Sequence, residues 1–164
     1  MMEEIVKLVD LDPNNQDHLR LMYDVRKHPD VAKQLCKPPP ENFSRHVQYL
    51  QEAVKGGTKK FFIICFHENI CGYCHVTDGI SSHDTLELGW ALHPDWWGKG
   101  IGKRSVSLLL QILKDSGLSQ GKTLTLLVKK DNVKAVSIYK KSGFVILSEN
   151  ENQEYLMHYH PEKS

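Results

Sequence analysis

The sequence predicts one mixed α/β domain folded around a single sheet, and three observations carry that prediction. Its 164 residues fit one domain of ordinary size, 1–164, and leave no length for a second. Apolar residues make up 40% and charged residues 25%, a globular balance without the low hydrophobicity and high charge of a disordered chain. Strand-like and helix-like segments follow one another in the order β-αα-βββ-α-β-α-ββ, the pattern of one sheet covered by helices.

Each element has its own signal. Residues 5–9 form a short apolar strand, and the turn Asp12-Pro13-Asn14-Asn15 leads into a helix carrying His18, Leu19, Met22 and Val25 on one stripe. The run Lys37-Pro38-Pro39-Pro40 breaks the chain. A second helix then presents Phe43, Val47, Tyr49, Leu50 and Ala53 and stops before Gly56-Gly57. Residues 61–66 and 70–77 read as strands joined by a hairpin turn at His67-Glu68-Asn69. A third strand, 86–92, points Leu86, Leu88, Trp90 and Leu92 to one face. Ile101, Ser105, Leu108, Leu109 and Ile112 recur at helical spacing up to a stop at Gly117. Strand 123–128, helix 133–141 closed by Gly143, and strands 144–147 and 154–159 complete the order, with residues 160–164 expected to fray.

Composition excludes several function classes. Lysine and arginine exceed aspartate and glutamate by one, so the whole chain shows no basic excess for nucleic acid or an anionic membrane. No window has the ~18 apolar residues of a membrane span, and Met1-Met2-Glu3-Glu4 lacks a basic, apolar leader. A cytoplasmic protein is expected. Cys36, Cys65, Cys71 and Cys74 are too few and irregular for a disulfide scaffold. Cys71-Gly72-Tyr73-Cys74 is a C-x-x-C pattern inside a strand, where residues three apart face opposite sides, so neither a redox pair nor a metal site is expected. Buried structural thiols are the expectation.

The chemistry starts at Pro94-Asp95-Trp96-Trp97-Gly98-Lys99-Gly100-Ile101-Gly102, between a strand and a helix. Glycines there admit a ligand to the main chain, and the first amides of the helix have no intrahelical acceptor. Such a loop suits a phosphate or pyrophosphate, or else lets a helix approach a strand closely. The dinucleotide fingerprint does not fit, because the spacing is G-x-G-x-G and strand 123–128 carries no acid. The nucleotide triphosphate loop does not fit either, since Arg104 stands where that motif requires a hydroxyl.

The loop, from Leu92 to Lys103, together with Asn132 to Phe144, resembles the two linked motifs of the GCN5-related N-acetyltransferases (GNAT). Trp97 stands where that family often carries Gln or Arg, and altered but retained loop contacts are expected. The resemblance implies a mostly antiparallel seven-stranded sheet flanked by four helices, with acetyl-CoA as co-substrate and no metal. It implies an acceptor-binding part over about residues 1–85 and an acetyl-CoA core over about 86–145. Ala91, Leu92 and His93 would pair with the pantetheine arm, and Gly98, Lys99, Gly100, Ile101, Gly102 and Lys103 would wrap the pyrophosphate. Asn132 and Tyr139 lie seven apart on one helix, hence on one face, turned toward the thioester.

Acetyl transfer to an amine needs a base for the ammonium proton and a donor for the departing thiolate. Tyr139 is the expected donor; otherwise it is a helix tyrosine packed on the sheet. Glu87, alternating away from the leucine face of its strand, is the expected base, against the alternative of a solvated charge. His75 and His93 are reserve bases. The acceptor part, with Arg26-Lys27-His28-Pro29-Asp30-Val31, resembles the N-acetyltransferases of pseudaminic acid biosynthesis, and more loosely the ribosomal-protein alanine N-acetyltransferases. The preferred acceptor is therefore a small-molecule amine, a UDP-linked 4-amino-4,6-dideoxy sugar, with a protein N-terminus and a non-catalytic acyl-CoA-binding module as alternatives. Arg26 and His28 would donate to phosphate or sugar hydroxyls; otherwise they flank the first helix. Monomer and homodimer are both open, since residues 154–159 could offer an exposed strand edge. Residues 95–141 carry ten basic against three acidic side chains, so a basic half for CoA phosphates and an acidic half for the amine are expected.

Overall fold

A computed structural model describes residues 5–78 and 84–161; the extreme end of the tail expected to fray lies outside them. Seven strands form one sheet: β1 (Val6–Asp10), β2 (Lys59–Phe66), β3 (Asn69–Asp78), β4 (Thr85–Leu92), β5 (Thr123–Lys129), β6 (Phe144–Glu149) and β7 (Glu154–Tyr159). Their spatial order is β1-β2-β3-β4-β5-β7-β6, antiparallel except for the β4–β5 pair. Five helices accompany the strands: α1 (Gln16–Lys27), α2 (Pro29–Ala32), α3 (Phe43–Gly56), α4 (Ile101–Ser116) and α5 (Val133–Lys141). The α2 turn is additional to the expected order. His28 caps it and Pro29 opens it, but four residues are too few to show a helical period.

Caps set most helix starts. Asn15 accepts from the amides of Asp17 and His18, Asn42 from Arg45, and Asn132 from Ala135, each satisfying amides that the helix leaves free. Alternation along β2 to β5 then divides the interior into two cores. Phe61, Ile63, Tyr73 and Ala91 meet Leu19, Met22 and Val25 of α1 and Leu50 of α3 on one face. Phe62, Cys74, Leu88 and Leu126 meet Val106, Leu109 and Leu113 of α4 and Val136 and Tyr139 of α5 on the other. A fully buried leucine contributes about 1.5–3 kcal/mol, and Leu19, Leu50, Leu109 and Leu113 are each 0% exposed. On α4 the buried stripe includes Val106 and Leu113, while the expected Leu108 and Ile112 are half-buried at its flank.

Two expectations change. The pairing of β2 and β3 shifts between Ile64 and Cys65, which leaves Cys71 unpaired at a bulge. Cys71 therefore packs with Ile101 of α4, on the side where Cys74 meets the same helix; the two thiols do not face opposite sides. Both are buried and free, and burial raises both thiols, Cys71 to about 11. Strand β7 pairs with β5 and with β6, so residues 154–159 are internal and the C-terminal edge is β6.

The two neighbours of β4 hold it over unequal lengths. Strand β4 pairs with β3 from Leu86 to Leu92, whereas its pairing with β5 covers only Thr85↔Thr123, Leu86↔Leu124 and Glu87↔Thr125. Beyond Glu87 the two strands part. Gly72 braces the far end of β4 from β3: a Cβ there would fall on the Ala91 carbonyl oxygen and 2.8 Å from Leu92 Cα. Because the obstruction is main chain, Gly72→Ala is expected to cost about 1–3 kcal/mol, read as a lower urea midpoint with an unchanged slope.

Candidate active site

The parting of β4 from β5 opens onto a cleft of about 700 Å³ beneath α1, α3 and the 34–41 segment. Glu87, Gly89 and Ala91 alternate on the cleft face of β4, with Tyr73 and His75 opposite Ala91 and Gly89 on β3. From the other face, Tyr139 of α5 reaches the cleft wall. Its ring lies 5.5 Å from Trp90 and 5.9 Å from Phe144, and at 8% exposure burial pushes its phenol well above the usual value. The hydroxyl stays protonated across the neutral range, which is the state a proton donor needs.

The glycine loop adjoins the cleft at Leu92 and Trp97. His93 Nδ1 accepts from the Asp95 amide and starts a 3₁₀ turn at Pro94–Trp96. Gly98 and Gly100 take φ of +75° and +79°, which side-chain-bearing residues rarely adopt. Gly100 caps α4 without a side-chain bond, leaving the first amides of α4 directed at the loop beside Lys99 and Lys103. Trp97 donates its indole N–H to the Leu92 carbonyl at 3.0 Å, tying the loop to the end of β4. A main-chain edge freed at β4 and an uncapped helix end after it fit an extended arm ending in a pyrophosphate.

Of the residues singled out from sequence, the cleft gathers Arg26, His75, Glu87, Ala91, Leu92, Asn132 and Tyr139. His28 and His93 stand outside the lining. His28 Nδ1 accepts from Asp30 as the cap of α2, and its ring meets His93 edge-on at 5.3 Å, so the helix-flanking alternative describes it. Arg26 also ties the local fold together. Its guanidinium donates to Tyr73 Oη at 3.3 Å and to the Pro38 carbonyl at 2.8 Å, holding the proline run over the sheet. His75 is a poor base, because burial first, then the cations Lys59, Lys37 and Arg26, pull it down to about 3.

Several lining residues escape sequence reasoning. His46 of α3 is 3% exposed, its Nε2 has no partner among the described residues, and burial followed by the Arg26 charge lowers it to about 4. Cys36 lies near Glu154, and burial followed by that carboxylate pushes the thiol up to about 12. Glu154 itself is visible in the sequence only as the start of a strand. Helical or strand period cannot distinguish such residues from core, since the cleft borrows them from α3, the 34–41 segment and a distant strand. The charge expectation also changes. Arg26, Lys37, Arg45 and Lys59 line the cleft against Glu41, Glu87 and Glu154, so the acceptor side is not simply acidic. Arg26, Lys37 and Lys59 all act on His75, and Glu87, Glu154 and Lys129 on Cys36, so the lining carries both signs of charge.

Comparison with known proteins agrees with this geometry. A family model described as an acetyltransferase (GNAT) domain matches residues 9–145. Acetyltransferase PseH of Campylobacter jejuni is 28% identical over 155 residues, spanning 93% of this chain and 92% of that protein. Spermidine N(1)-acetyltransferase of Escherichia coli K12 is 24% identical over 143 residues, 86% of this chain and 75% of that one. The crystal structure of a Vibrio cholerae spermidine N-acetyltransferase with CoA and spermine shares the fold, with a TM-score of 0.77 at 19% identity over 96% of both chains.

Both cleft histidines have lower pKa values than the ordinary 6.5. Below about 6.5 the unfolded chain therefore binds protons that the folded chain refuses, and stability falls with pH. Their effect is absent above that value and grows toward pH 4. Denaturant midpoints measured between pH 7 and 4 are expected to decline, and His46→Gln to decline less steeply; equal slopes would remove His46 from this account.

Proposed function

The chain belongs to the GNAT acetyltransferase family, and we propose that it moves the acetyl group of acetyl-CoA onto the amine of an anionic small molecule, a UDP-linked 4-amino-4,6-dideoxy sugar. A cleft lined by both cations and carboxylates carries this reading. An amine seated toward Glu87 leaves the rest of the acceptor among Arg26, Lys37, Arg45 and Lys59, where a diphosphate finds charge-assisted donors. A polyamine such as spermidine would bring further positive charge to the same cations and be repelled. The likeness of the acceptor part to the N-acetyltransferases of pseudaminic acid biosynthesis points to the same class.

Acetyl-CoA supplies the thioester, its arm along the freed edge of β4 at Ala91, Leu92 and His93 and its pyrophosphate at Gly98–Lys103. Glu87, half-buried on the cleft face, takes the ammonium proton directly or through water. The amine nitrogen bonds to the carbonyl carbon, the carbon–sulfur bond breaks, Tyr139 gives its phenolic proton to the sulfur, and the second proton shed by the acylated nitrogen restores the phenol. Asn132 holds the start of α5, and so the approach of Tyr139, through its side-chain bond to the Ala135 amide. His46, neutral above its lowered pKa, offers ring nitrogen Nε2 to a hydroxyl of the acceptor.

Release of the CoA thiol with three acceptors tests the reading: a UDP-4-amino-4,6-dideoxy sugar, spermidine and an alanine-terminated peptide. Fast turnover of the sugar nucleotide is expected; turnover of the peptide or of spermidine alone would replace it, and tight acetyl-CoA binding with no amine turned over would leave a binding module. Tyr139→Phe is expected to lower kcat by about 10²–10⁴-fold with acetyl-CoA affinity little changed, and an unaltered kcat would strike Tyr139 from the mechanism.

A further inference from the structure

Glu154 is a buried carboxyl group with no ion-pair partner among the described residues. At the first position of β7 it is 8% exposed and lines the cleft with Glu87 and Tyr139. A buried carboxylate is ordinarily paired with a cation, because several hydrogen bonds are needed to replace its hydration. Lys129 stands opposite Glu154 in the β5–β7 register, yet its ammonium donates to the Lys33 carbonyl at 2.7 Å. Among the described residues no lysine, arginine or histidine forms an ion pair with Glu154.

What Glu154 does hold is a neutral donor. Asn150 Nδ2 donates to Oε1 at 2.9 Å, while Asn150 Oδ1 accepts from the Glu154 amide at 3.0 Å. This reciprocal pair fixes the side chain at the mouth of the β6–β7 turn. On the cleft side the Cys36 thiol, carried on the irregular segment between α2 and α3, lies near its carboxylate. Glu154 thus shares the cleft lining with Glu87 and Tyr139, the groups that move protons.

We propose that Glu154 is the carboxylate that seats the acceptor's ammonium group, while Glu87 takes the proton. The inference rests on the acetyltransferase reading but on no one acceptor. An amine entering between Glu87 and Glu154 would meet Tyr139 at the thioester, and the rigid Asn150 bond would spare Glu154 the cost of being ordered on binding.

Glu154→Gln keeps the size of the side chain and an oxygen for Asn150, and removes the charge. It is expected to raise KM for the amine at least about tenfold, the weight of a charge-assisted hydrogen bond, while leaving KM for acetyl-CoA unchanged. The measurement uses whichever of the UDP-4-amino sugar, spermidine and alanine-terminated peptide the native protein acetylates fastest, so a wrong acceptor class and a wrong role for Glu154 give different results. A second reading is independent of turnover: a charge kept for binding and not for folding leaves Tm of the Gln variant equal to or above that of the native protein. An unchanged amine KM would overturn the proposal, and so would a Tm lowered by several degrees even if none of the three amines is acetylated.

Discussion

The working parts of this protein depend on two parallel strands that stop pairing after three residues. Had β4 and β5 stayed in register beyond Glu87 and Thr125, the sheet would be continuous and Tyr139, on the α5 face, would have no route to the opposite side. Opening costs the main-chain hydrogen bonds of the remaining residues of β4, a large penalty where no water or ligand replaces them. The structure offsets it by keeping β4 bonded to β3 through Leu92 and β5 bonded to β7 through Lys129. Each strand thus stays in the sheet through its outer neighbour, and the facing edges of β4 and β5 are left unpaired with each other beyond Glu87.

Charge is distributed around that opening in a way that the totals conceal. The net charge of +1 gives no hint of it, and the count by segment suggests an acidic acceptor half. In three dimensions the acceptor side is mixed. Arg26, Lys37 and Lys59 act together on His75, and Glu87 and Glu154 act together on Cys36. Both signs of charge therefore meet in one cleft, which the whole-chain balance cannot reveal.

The sequence reveals most of the architecture because most of it is periodic. Strands, long helices and their stops at Gly57 and Gly117 follow from alternation, helical stripes and left-handed caps. The glycine loop is legible because it departs from those periods. Two kinds of feature are not legible. The bulge at Cys71 depends on how β2 slides past β3, a property of a pair of strands that neither strand announces. The Cys36, His46 and Glu154 lining depends on long-range placement: the proline segment folds back over the sheet because Arg26 bonds the Pro38 carbonyl, and β7 threads between β5 and β6. His28 and His93 stand outside the cleft lining, and each accepts a neighbouring backbone amide at its Nδ1, a local cap that residue type alone does not announce.

The sheet also works as a partition. One core joins it to α1 and α3 and another joins it to α4 and α5, and each is sealed by its own alternate set of strand residues. Changes that remodel the acceptor side, such as a different helix surface on α3 or a longer proline segment, need no compensating change beneath α4. A lineage built on this plan can therefore diversify what it acetylates while its apparatus for handling the donor is inherited intact, and the residues hardest to exchange would be those few, Tyr139 foremost, that touch both compartments.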